Sequence, residues 1–446
     1  MIQATFTFPR GFLWGTATAA HQVEGNNRNN QWWAWELEMG RIAQGHKSGL
    51  ACDWWGGRWR EDFDRAAEGH QNAHRLSIEW SRIQPEPNRW DEDALDRYRD
   101  MLRGLTERGL TPMVTLHHFT NPFWMAEVGG WENPKSPALF AAFVRKAVEA
   151  LKEYASLWCT INEPNVYATA AYQLGTFPPG EKSLHKFLLV TENLLRGHAM
   201  AYQIIHEIQA QARVGLALNY RSFQPYRHWS PLDIGVARFQ AHHFNHLVPQ
   251  VLHRGRALTA MGMLNIPQAK GTQDFLGINY YTRDQVTFAP LKPGELFARR
   301  FYRPEAALSD TGYLANEPEG LFEALRWANQ FGVPVIVAEN GIEDATDRLR
   351  PRYLVEHIHQ LWQALNYNVP IKGYFHWTLV DNFEWERGWT QRFGLWELDV
   401  NTQARRKRPC ADLYAEICRQ NALTSEMVEK YAPEAFDAMF PQPGEI

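Results

Sequence analysis

Short apolar runs recur along the chain, and stretches with helical periodicity lie between most of them. Eight of these runs are apolar on both faces and are bounded by glycine, proline or polar residues, which is typical of buried parallel strands. The predicted strands are residues 12–19, 74–80, 112–118, 157–163, 214–219, 275–281, 334–340 and 371–379.

The helical periodicity is clear in seven segments. In residues 91–108, Leu95, Leu102 and Leu105 lie on one stripe, and Gly109 is a typical C-terminal stop. The other predicted helices are residues 136–154, 184–211, 233–252, 320–331, 352–365 and 409–420.

This alternation predicts one α/β domain, a single (β/α)8 TIM barrel spanning residues 1–446. An open doubly wound sheet is the alternative, but no GxGxxG motif follows an early strand and no P-loop motif occurs. Three long irregular stretches are expected, at about residues 25–55, 282–318 and 381–408. Each follows a strand, so these long loops should extend from the C-terminal face of the barrel, where such folds carry their sites.

Composition narrows the classes of partner. The net charge is −4, the pI is near 6.5, and no basic tail occurs, which argues against nucleic acid. No stretch approaches the ~20 apolar residues that cross a membrane, and the N-terminus lacks the pattern of a secretory signal. The four cysteines show no CxxC spacing and are expected to be reduced thiols of a cytoplasmic protein. Nothing in the sequence indicates an oligomeric state.

Tryptophan is abundant, with 19 residues in the chain. Several lie beside amide and carboxylate side chains, as at Trp32, Trp33, Trp385 and Trp389. A flat aromatic face flanked by such groups suits a polyhydroxylated ring, whose C–H bonds pack on the ring while its hydroxyls find hydrogen-bond partners. The pattern therefore suggests a carbohydrate ligand.

Two glutamates stand at strand ends. Glu163 follows Asn162 at the end of the fourth predicted strand, directly before Pro164, and Glu339 lies at the end of the seventh. Both should project into the bowl at the C-terminal face. Hydrolysis of an acetal needs such a pair, a protonated acid at the leaving oxygen and an ionised carboxylate at the anomeric carbon. A nucleophilic role for one carboxylate would require a separation of about 5–5.5 Å and give a retaining reaction. Two unrelated strand-end carboxylates are the alternative on this pattern alone.

Seven segments in fixed order carry a family resemblance. The chain resembles the β-glucosidase type of glycoside hydrolase family 1 over roughly residues 6–420, and residues 421–446 form a C-terminal extension of unassigned role. The matching segments are residues 12–24, 75–83, 115–118, 160–164, 277–281, 338–341 and 377–385.

The resemblance implies a role for each matching residue. Glu163 corresponds to the general acid/base and Glu339 to the nucleophile, with Arg75 and Tyr281 beside the nucleophile and Asn279 near the same centre. The implied sugar-binding residues are Gln22, His118, Asn162, Trp377, Glu384 and Trp385, with Asn162 at the 2-hydroxyl and Trp377 beneath the ring. The resemblance implies no cofactor.

Three positions bear on the substrate. Relatives that act on 6-phosphorylated sugars carry a small hydroxyl residue where this chain has Glu384, so a neutral glucosyl, galactosyl or fucosyl unit is expected. Phe119 replaces a tryptophan that in many members reaches the 3-hydroxyl. Tyr313 replaces a tryptophan that usually forms a wall of the aglycone site. Tyr313 and Val166 are the candidate aglycone residues.

The expected activity is that of a retaining β-glucosidase on small β-glycosides and oligosaccharides. Predominant transfer of glycosyl units to sugars, or a catalytically silent sugar-binding barrel, are the alternatives. The spacing of His242, His243 and His246 could suit zinc, but no further ligand has motif spacing, so no metal is predicted.

Overall fold

The barrel is confirmed by the computed structural model of the protein, which describes residues 3–440. Eight parallel strands pair in chain order, and the last pairs with the first through Tyr374 and Trp14, so the sheet closes on itself. The strands are β1 Leu13–Ala17, β2 Ala73–Ser77, β3 Thr111–His117, β4 Leu157–Asn162, β5 Arg213–Pro225, β6 Phe275–Phe288, β7 Val335–Asn340 and β8 Ile371–His376.

A helix follows each strand. These helices are α1 Trp59–Glu68, α2 Glu92–Glu107, α3 Ser136–Leu151, α4 Leu184–Ile208, α5 Pro231–Ala241, α6 Glu319–Asn329, α7 Arg350–Asn366 and α8 Pro409–Gln420. A π turn, His242–His246, continues α5 into a further helix, Leu247–Arg254. All side chains of β4 and β7 are buried, because helices cover the outside of the barrel and side chains fill its inside.

Shorter elements decorate the barrel. The short α-helices are Ala20–Val23, Gln31–Leu37, Trp80–Ile83, Phe123–Glu127, Pro164–Ala168, Ser425–Tyr431 and Phe436–Met439. Two small antiparallel pairs join Arg256–Thr259 with Gly262–Asn265 and Trp396–Leu398 with Arg405–Lys407. The predicted second strand ran too far, since Trp80 begins a helix.

Helix α1 was not predicted, and its sequence explains why. It buries Trp59, Phe63 and Ala66 on a narrow stripe, with charged residues filling most of the other positions. By contrast, α2 has a wider apolar stripe, and its N-terminus is capped by Asp91, whose carboxylate accepts from the backbone N–H of Ala94 at 2.9 Å.

The prediction that residues 282–318 begin as an irregular loop was wrong. Strands β5 and β6 continue beyond the barrel, where Ser222–Pro225 pairs in parallel with residues 283–286. The antiparallel strand Ala298–Phe301 then pairs with the end of β6. We call residues 221–225, 283–288 and 298–301 the rim wall. Its polar residues interrupt the apolar runs on which the strand prediction depended.

The C-terminal residues pack against the chain at and before the start of β1. Ala422–Thr424 pairs antiparallel with Thr5–Thr7, and Trp14 Nε1 donates to Asn421 Oδ1 at 2.8 Å. The Phe440 ring stacks on Phe6 at 5.6 Å. Residues 421–440 therefore pack as part of the barrel domain, and residues 441–446 of the expected extension lie outside the described residues.

Two further expectations concern the whole chain. Within residues 3–440, no helix combines the length and the apolar character needed to cross a bilayer. The four cysteines, Cys52, Cys159, Cys410 and Cys418, are all buried and free, so none of them forms a disulfide.

Candidate active site

The predicted site residues converge on one cleft of about 630 Å³ at the C-terminal face of the barrel. Some of them line the cleft, and the others lie behind this lining and donate hydrogen bonds to it or to one another. The lining includes His118, Glu163, Val166, Tyr281, Tyr313, Glu339, Trp377, Glu384 and Trp385. Behind them lie Gln22, Arg75, Asn162 and Asn279.

Glu163 occupies an unusual backbone turn. Strand β4 ends at Asn162, and Glu163 has φ 45° and ψ 58°, in the left-handed region that a residue with a side chain adopts at some energetic cost. Its backbone N–H donates to Ala217 O at 2.7 Å, and Pro164 begins a short helix. The turn brings the side chains of Asn162 and Glu163 to one side, since Asn279 Nδ2 contacts both at 3.1 and 2.9 Å.

The Glu163 carboxyl is surrounded by neutral donors. Asn279 Nδ2 and Asn219 Nδ2 donate to its Oε1 at 2.9 and 2.8 Å. Burial and, to a smaller extent, the charge of Glu339 raise the pKa of Glu163 to about 8, although the two amides and Arg75 act in the opposite direction. Glu163 is therefore suited to hold a proton at neutral pH.

Glu339 at the end of β7 has a different environment. Arg75 Nη1 donates to its Oε1 at 2.7 Å, and the Tyr281 hydroxyl donates to its Oε2 at 2.5 Å. Burial raises the pKa of Glu339, but Arg75, Tyr281 and Asn279 all oppose this rise. Because a buried guanidinium pairs directly with Glu339, whereas the side-chain hydrogen bonds to Glu163 among residues 3–440 come from two neutral amides, the negative charge is favoured on Glu339 and the proton on Glu163.

Arg75 also organises its neighbours. This guanidinium is fully buried on β2, and its Nη2 donates to Asn162 Oδ1 at 2.6 Å. Its Nε donates to Thr115 Oγ1 at 3.1 Å. With its acceptor oxygen occupied, Asn162 turns its amide to donate to His118 Nε2 at 3.0 Å.

A second polar group lies across the cleft. Gln22 Nε2 donates to Glu384 Oε2 at 3.1 Å and to the Phe383 carbonyl at 2.8 Å. Burial raises the pKa of Glu384 to about 8, with a further contribution from the nearby Glu386 carboxylate. Gln22 and Glu384 thus form one hydrogen-bonding surface between the loops after β1 and β8.

Several buried polar atoms near the cleft have no protein partner within residues 3–440. Among the predicted site residues they are Gln22 Oε1, His118 Nδ1 and Asn279 Oδ1, and Thr169 Oγ1 on the cleft lining is another. Buried polar atoms are normally hydrogen-bonded, so these are available to the hydroxyl groups of a bound molecule.

Aromatic rings form the apolar surfaces. The His118 ring stacks between Trp377 and Trp385, with centroids 6.2 and 5.9 Å away. Phe119 also lines the cleft and packs against Trp385 and Phe177 at 5.1 and 5.4 Å, so at this position the chain offers an apolar surface without a hydrogen-bond donor.

The outer part of the cleft contains both candidate aglycone residues. Val166 lies on the short helix after Glu163, and Tyr313 stacks with the Arg387 guanidinium at 4.6 Å from its ring centre. Arg221, Asp284 and Arg300 of the rim wall also line this part.

Sequence reasoning missed several of these residues. Asn219 carried a signal, since it is the polar residue that ends the fifth apolar run, at a position equivalent to those of Glu163 and Glu339. The rim-wall residues Arg221, Asp284 and Arg300 carried none, because the strands that place them were not predicted.

The three histidines of the π turn have separate partners. His242 Nε2 lies 2.7 Å from Leu258 O, His243 Nε2 lies 3.0 Å from Gln173 Oε1, and Trp327 Nε1 donates to His246 Nδ1 at 3.1 Å. Within the described part of the chain, no group of three or more histidine, cysteine or acidic side chains is arranged to hold a metal ion.

Comparison with known proteins gives a consistent result. The family model described as Glycosyl hydrolase family 1 matches residues 4–423. Beta-glucosidase A of Thermotoga maritima is 32% identical over 446 residues, covering 93% of this chain and 98% of that protein. A beta-galactosidase of Sulfolobus acidocaldarius is 30% identical and covers 94% of this chain and 97% of its own. The structure of a beta-glycosidase from Pyrococcus horikoshii superposes with a TM-score of 0.89 at 34% identity, covering 96% of this chain and 98% of that chain.

Proposed function

The chain belongs to glycosyl hydrolase family 1, and from this premise we propose that it is a retaining β-glucosidase in which Glu163 is the acid/base and Glu339 the nucleophile. The observation that carries the assignment of roles is the unequal environment of the two carboxyls. Arg75 pairs with Glu339 at 2.7 Å, whereas Glu163 receives hydrogen bonds from the neutral amides of Asn219 and Asn279.

In the first step, the ionised Glu339 carboxylate attacks the anomeric carbon of the bound sugar. Glu163 gives its proton to the glycosidic oxygen as the bond to the leaving group breaks. The products of this step are a glycosyl ester on Glu339 and the free alcohol. Formation of the ester removes the charge of Glu339, so the pKa of Glu163 falls and it can act as a base.

In the second step, Glu163 accepts a proton from a water molecule as that water attacks the anomeric carbon. The ester bond breaks, Glu339 leaves as a carboxylate, and the sugar is released with its original anomeric configuration. Two inversions at the same carbon explain the retention.

The glycone site suits a neutral hexose. Gln22 Oε1 and the Glu384 carboxyl would receive the outer hydroxyls, Asn162 and His118 would bind hydroxyls nearer the reacting carbon, and Trp377 would stack beneath the ring. Glucosyl units are proposed first, with galactosyl and fucosyl units as further substrates. The names of the two relatives, a beta-glucosidase and a beta-galactosidase, support this breadth.

The aglycone site would be formed by Tyr313 and Val166 in the outer cleft, and the substrates would be small β-glycosides and oligosaccharides. Transfer to sugars as the main reaction is not favoured, because the relatives carry the names of glycosidases. A cytoplasmic location is proposed on the basis of the four free cysteines.

Chemical rescue of Glu339→Gly tests the proposal. This variant should lose hydrolysis of 4-nitrophenyl β-glucoside, and azide should restore turnover by occupying the space of the missing carboxylate. Attack by azide is a single displacement, so the product should be the glucosyl azide of inverted configuration. Glu386→Gly removes a neighbouring cleft carboxylate and is the matched control, for which no azide product is expected. Full activity of Glu339→Gly without azide would refute the proposed role.

A further inference from the structure

The outer cleft contains a guanidinium without a carboxylate of its own. Arg300 lies on the rim wall with a third of its side chain exposed, and its nearest carboxylate oxygen within residues 3–440 is Asp284 Oδ2 at 3.9 Å. That oxygen already accepts from Arg221 Nε at 2.5 Å, and the other Asp284 oxygen accepts from Arg221 Nη2 at 2.9 Å. Two guanidiniums therefore share one carboxylate, and one positive charge is left over.

Two other cations of the cleft mouth are paired locally, whereas a third, Arg299, is exposed and forms no ion pair among residues 3–440. Lys292 pairs with Glu295 at 2.8 Å, and Arg387 pairs with Glu386 at 3.3 Å. Arg300 differs from Lys292 and Arg387 because the carboxylate nearest to it, Asp284, is already bound by Arg221. Partial burial lowers its pKa, and the charge of Arg221 lowers it further, so the positive charge at this position is held at an electrostatic cost that an anion would relieve.

The strands place this charge on the leaving-group side of the reacting centre. Asn219 on β5 donates to the proposed acid Glu163, and Arg221 comes two residues later on the same strand. From the rise of a strand, the Cα atoms of Asn219 and Arg221 are at most about 7 Å apart. On the neighbouring strand β6, Asp284 comes three residues after Tyr281, whose hydroxyl donates to Glu339. The proposed glycone residues Gln22 and Glu384 follow β1 and β8, which lie across the closed barrel from β5.

We propose that Arg300, with Arg221 held behind it by Asp284, is an anion-binding site that favours β-glucosides whose leaving group carries a negative charge, such as a carboxylate. The guanidinium offers a planar pair of N–H donors that matches a carboxylate. The inference rests on the proposed hydrolase activity and specifies the chemical class of the leaving group.

A matched pair of substrates tests it. For wild type and Arg300→Gln, kcat/KM is measured on 4-carboxyphenyl β-glucoside and on its neutral methyl ester. The ratio of acid to ester should fall by about two- to fivefold in the variant, as expected for loss of a partly exposed ionic contact. Comparing the ratio between enzymes cancels the difference in leaving-group reactivity between the two substrates.

Three controls make the result specific. Arg406→Gln makes the same change in net charge at a side chain that is 84% exposed and outside the cleft, and it should leave the ratio unchanged. Arg300→Lys should recover part of the ratio. A rise in ionic strength from 0.1 to 1 M shortens the screening length from about 10 to about 3 Å and should reduce the wild-type preference.

A 4-sulfophenyl β-glucoside, measured against its neutral sulfonamide, separates charge from shape. A similar loss on the sulfonate and the carboxylate supports recognition of charge, and a loss on the carboxylate alone supports bidentate binding. An unchanged ratio in Arg300→Gln, with the ester still hydrolysed, would overturn the anion site while leaving the hydrolase intact. Failure of the wild type to hydrolyse any of the glucosides would instead overturn the proposed activity.

Discussion

The Asn219 amide on β5 donates to Glu163 Oε1 at 2.8 Å. This hydrogen bond links β5 to the proposed catalytic acid, which directly follows the neighbouring strand β4. A donor at this oxygen stabilises the ionised carboxylate more than the neutral acid, so it limits how far burial raises the pKa of Glu163. The contact therefore bears on the pH range of catalysis.

Asn219→Ala should move the alkaline limb of catalysis upward. Glu163 must be protonated to act as the acid, so activity should be lost as the pH rises through about 8 in the wild type. Without the Asn219 amide, the pKa of Glu163 rises and the loss occurs at higher pH. The pH profile of kcat/KM on an alkyl β-glucoside, whose leaving group needs the proton, measures this shift. A limb that stays in place or moves to lower pH would contradict the proposed coupling.

Removing the charge of Glu339 should have the opposite effect on Glu163. In Glu339→Gln the like charge is absent, so the pKa of Glu163 should fall below about 8 while burial keeps it above the ordinary glutamate value. Carbon NMR of labelled glutamate side chains can follow the titration in the folded variant. Glu386→Gln serves as control, since Glu386 is not among the main groups that shift the Glu163 pKa. Equal values in the wild type and Glu339→Gln would show that the two carboxyls are not coupled.

Arg75→Gln should destabilise the fold because it leaves the Glu339 carboxylate buried without its cation. Breaking a buried ion pair from one side lowers the free energy of unfolding by about 3–5 kcal/mol. The double variant Arg75→Gln/Glu339→Gln has no buried charge here and should be more stable than Arg75→Gln alone. Urea denaturation at neutral pH provides both values. Additive losses in the double variant would show that the 2.7 Å contact contributes no coupling energy.

Glu384→Ala should discriminate among sugars according to their 6-hydroxyl. Glucosides use that hydroxyl and fucosides lack it, so kcat/KM should fall by about tenfold or more on the glucoside, as expected for loss of a hydrogen bond to an ionisable group. The loss on the fucoside should be smaller. The two 4-nitrophenyl glycosides share a leaving group, which makes their ratio a measure of the glycone site alone. Equal losses on both would place Glu384 away from that hydroxyl.

The parts of the fold that sequence could predict are those in which burial has a simple pattern. Strands β4 and β7 are apolar on both faces because the barrel covers both, and the polar residues that end them, Glu163 and Glu339, mark the cleft directly. Helix α1 escaped prediction because its apolar stripe is narrow. The bend at Glu163 could not be predicted from the sequence, since a left-handed turn at a non-glycine residue depends on packing against the surrounding strands.

The site shows the same division. Arg75 and Tyr281, which belong to matching segments, both contact Glu339 in the structure. The position of Arg300 could not be predicted, because it depends on strand pairing outside the barrel. No apolar pattern in the sequence indicates that pairing. Among residues 3–440, the carboxylate oxygen nearest to Arg300 is 3.9 Å away and already accepts from Arg221, and this arrangement of side chains cannot be predicted from the sequence pattern.

Because of the rim wall, selection for the leaving group can act separately from selection for the sugar chemistry. The outer strand of the rim wall, Ala298–Phe301, pairs with the end of β6 and takes no part in closing the barrel. Changes there can alter which alcohols are tolerated without disturbing the network of Arg75, Glu339 and Asn162 that the closed sheet holds. An evolving lineage, or a laboratory library confined to these few positions, can therefore explore new leaving groups while the sugar chemistry stays constant.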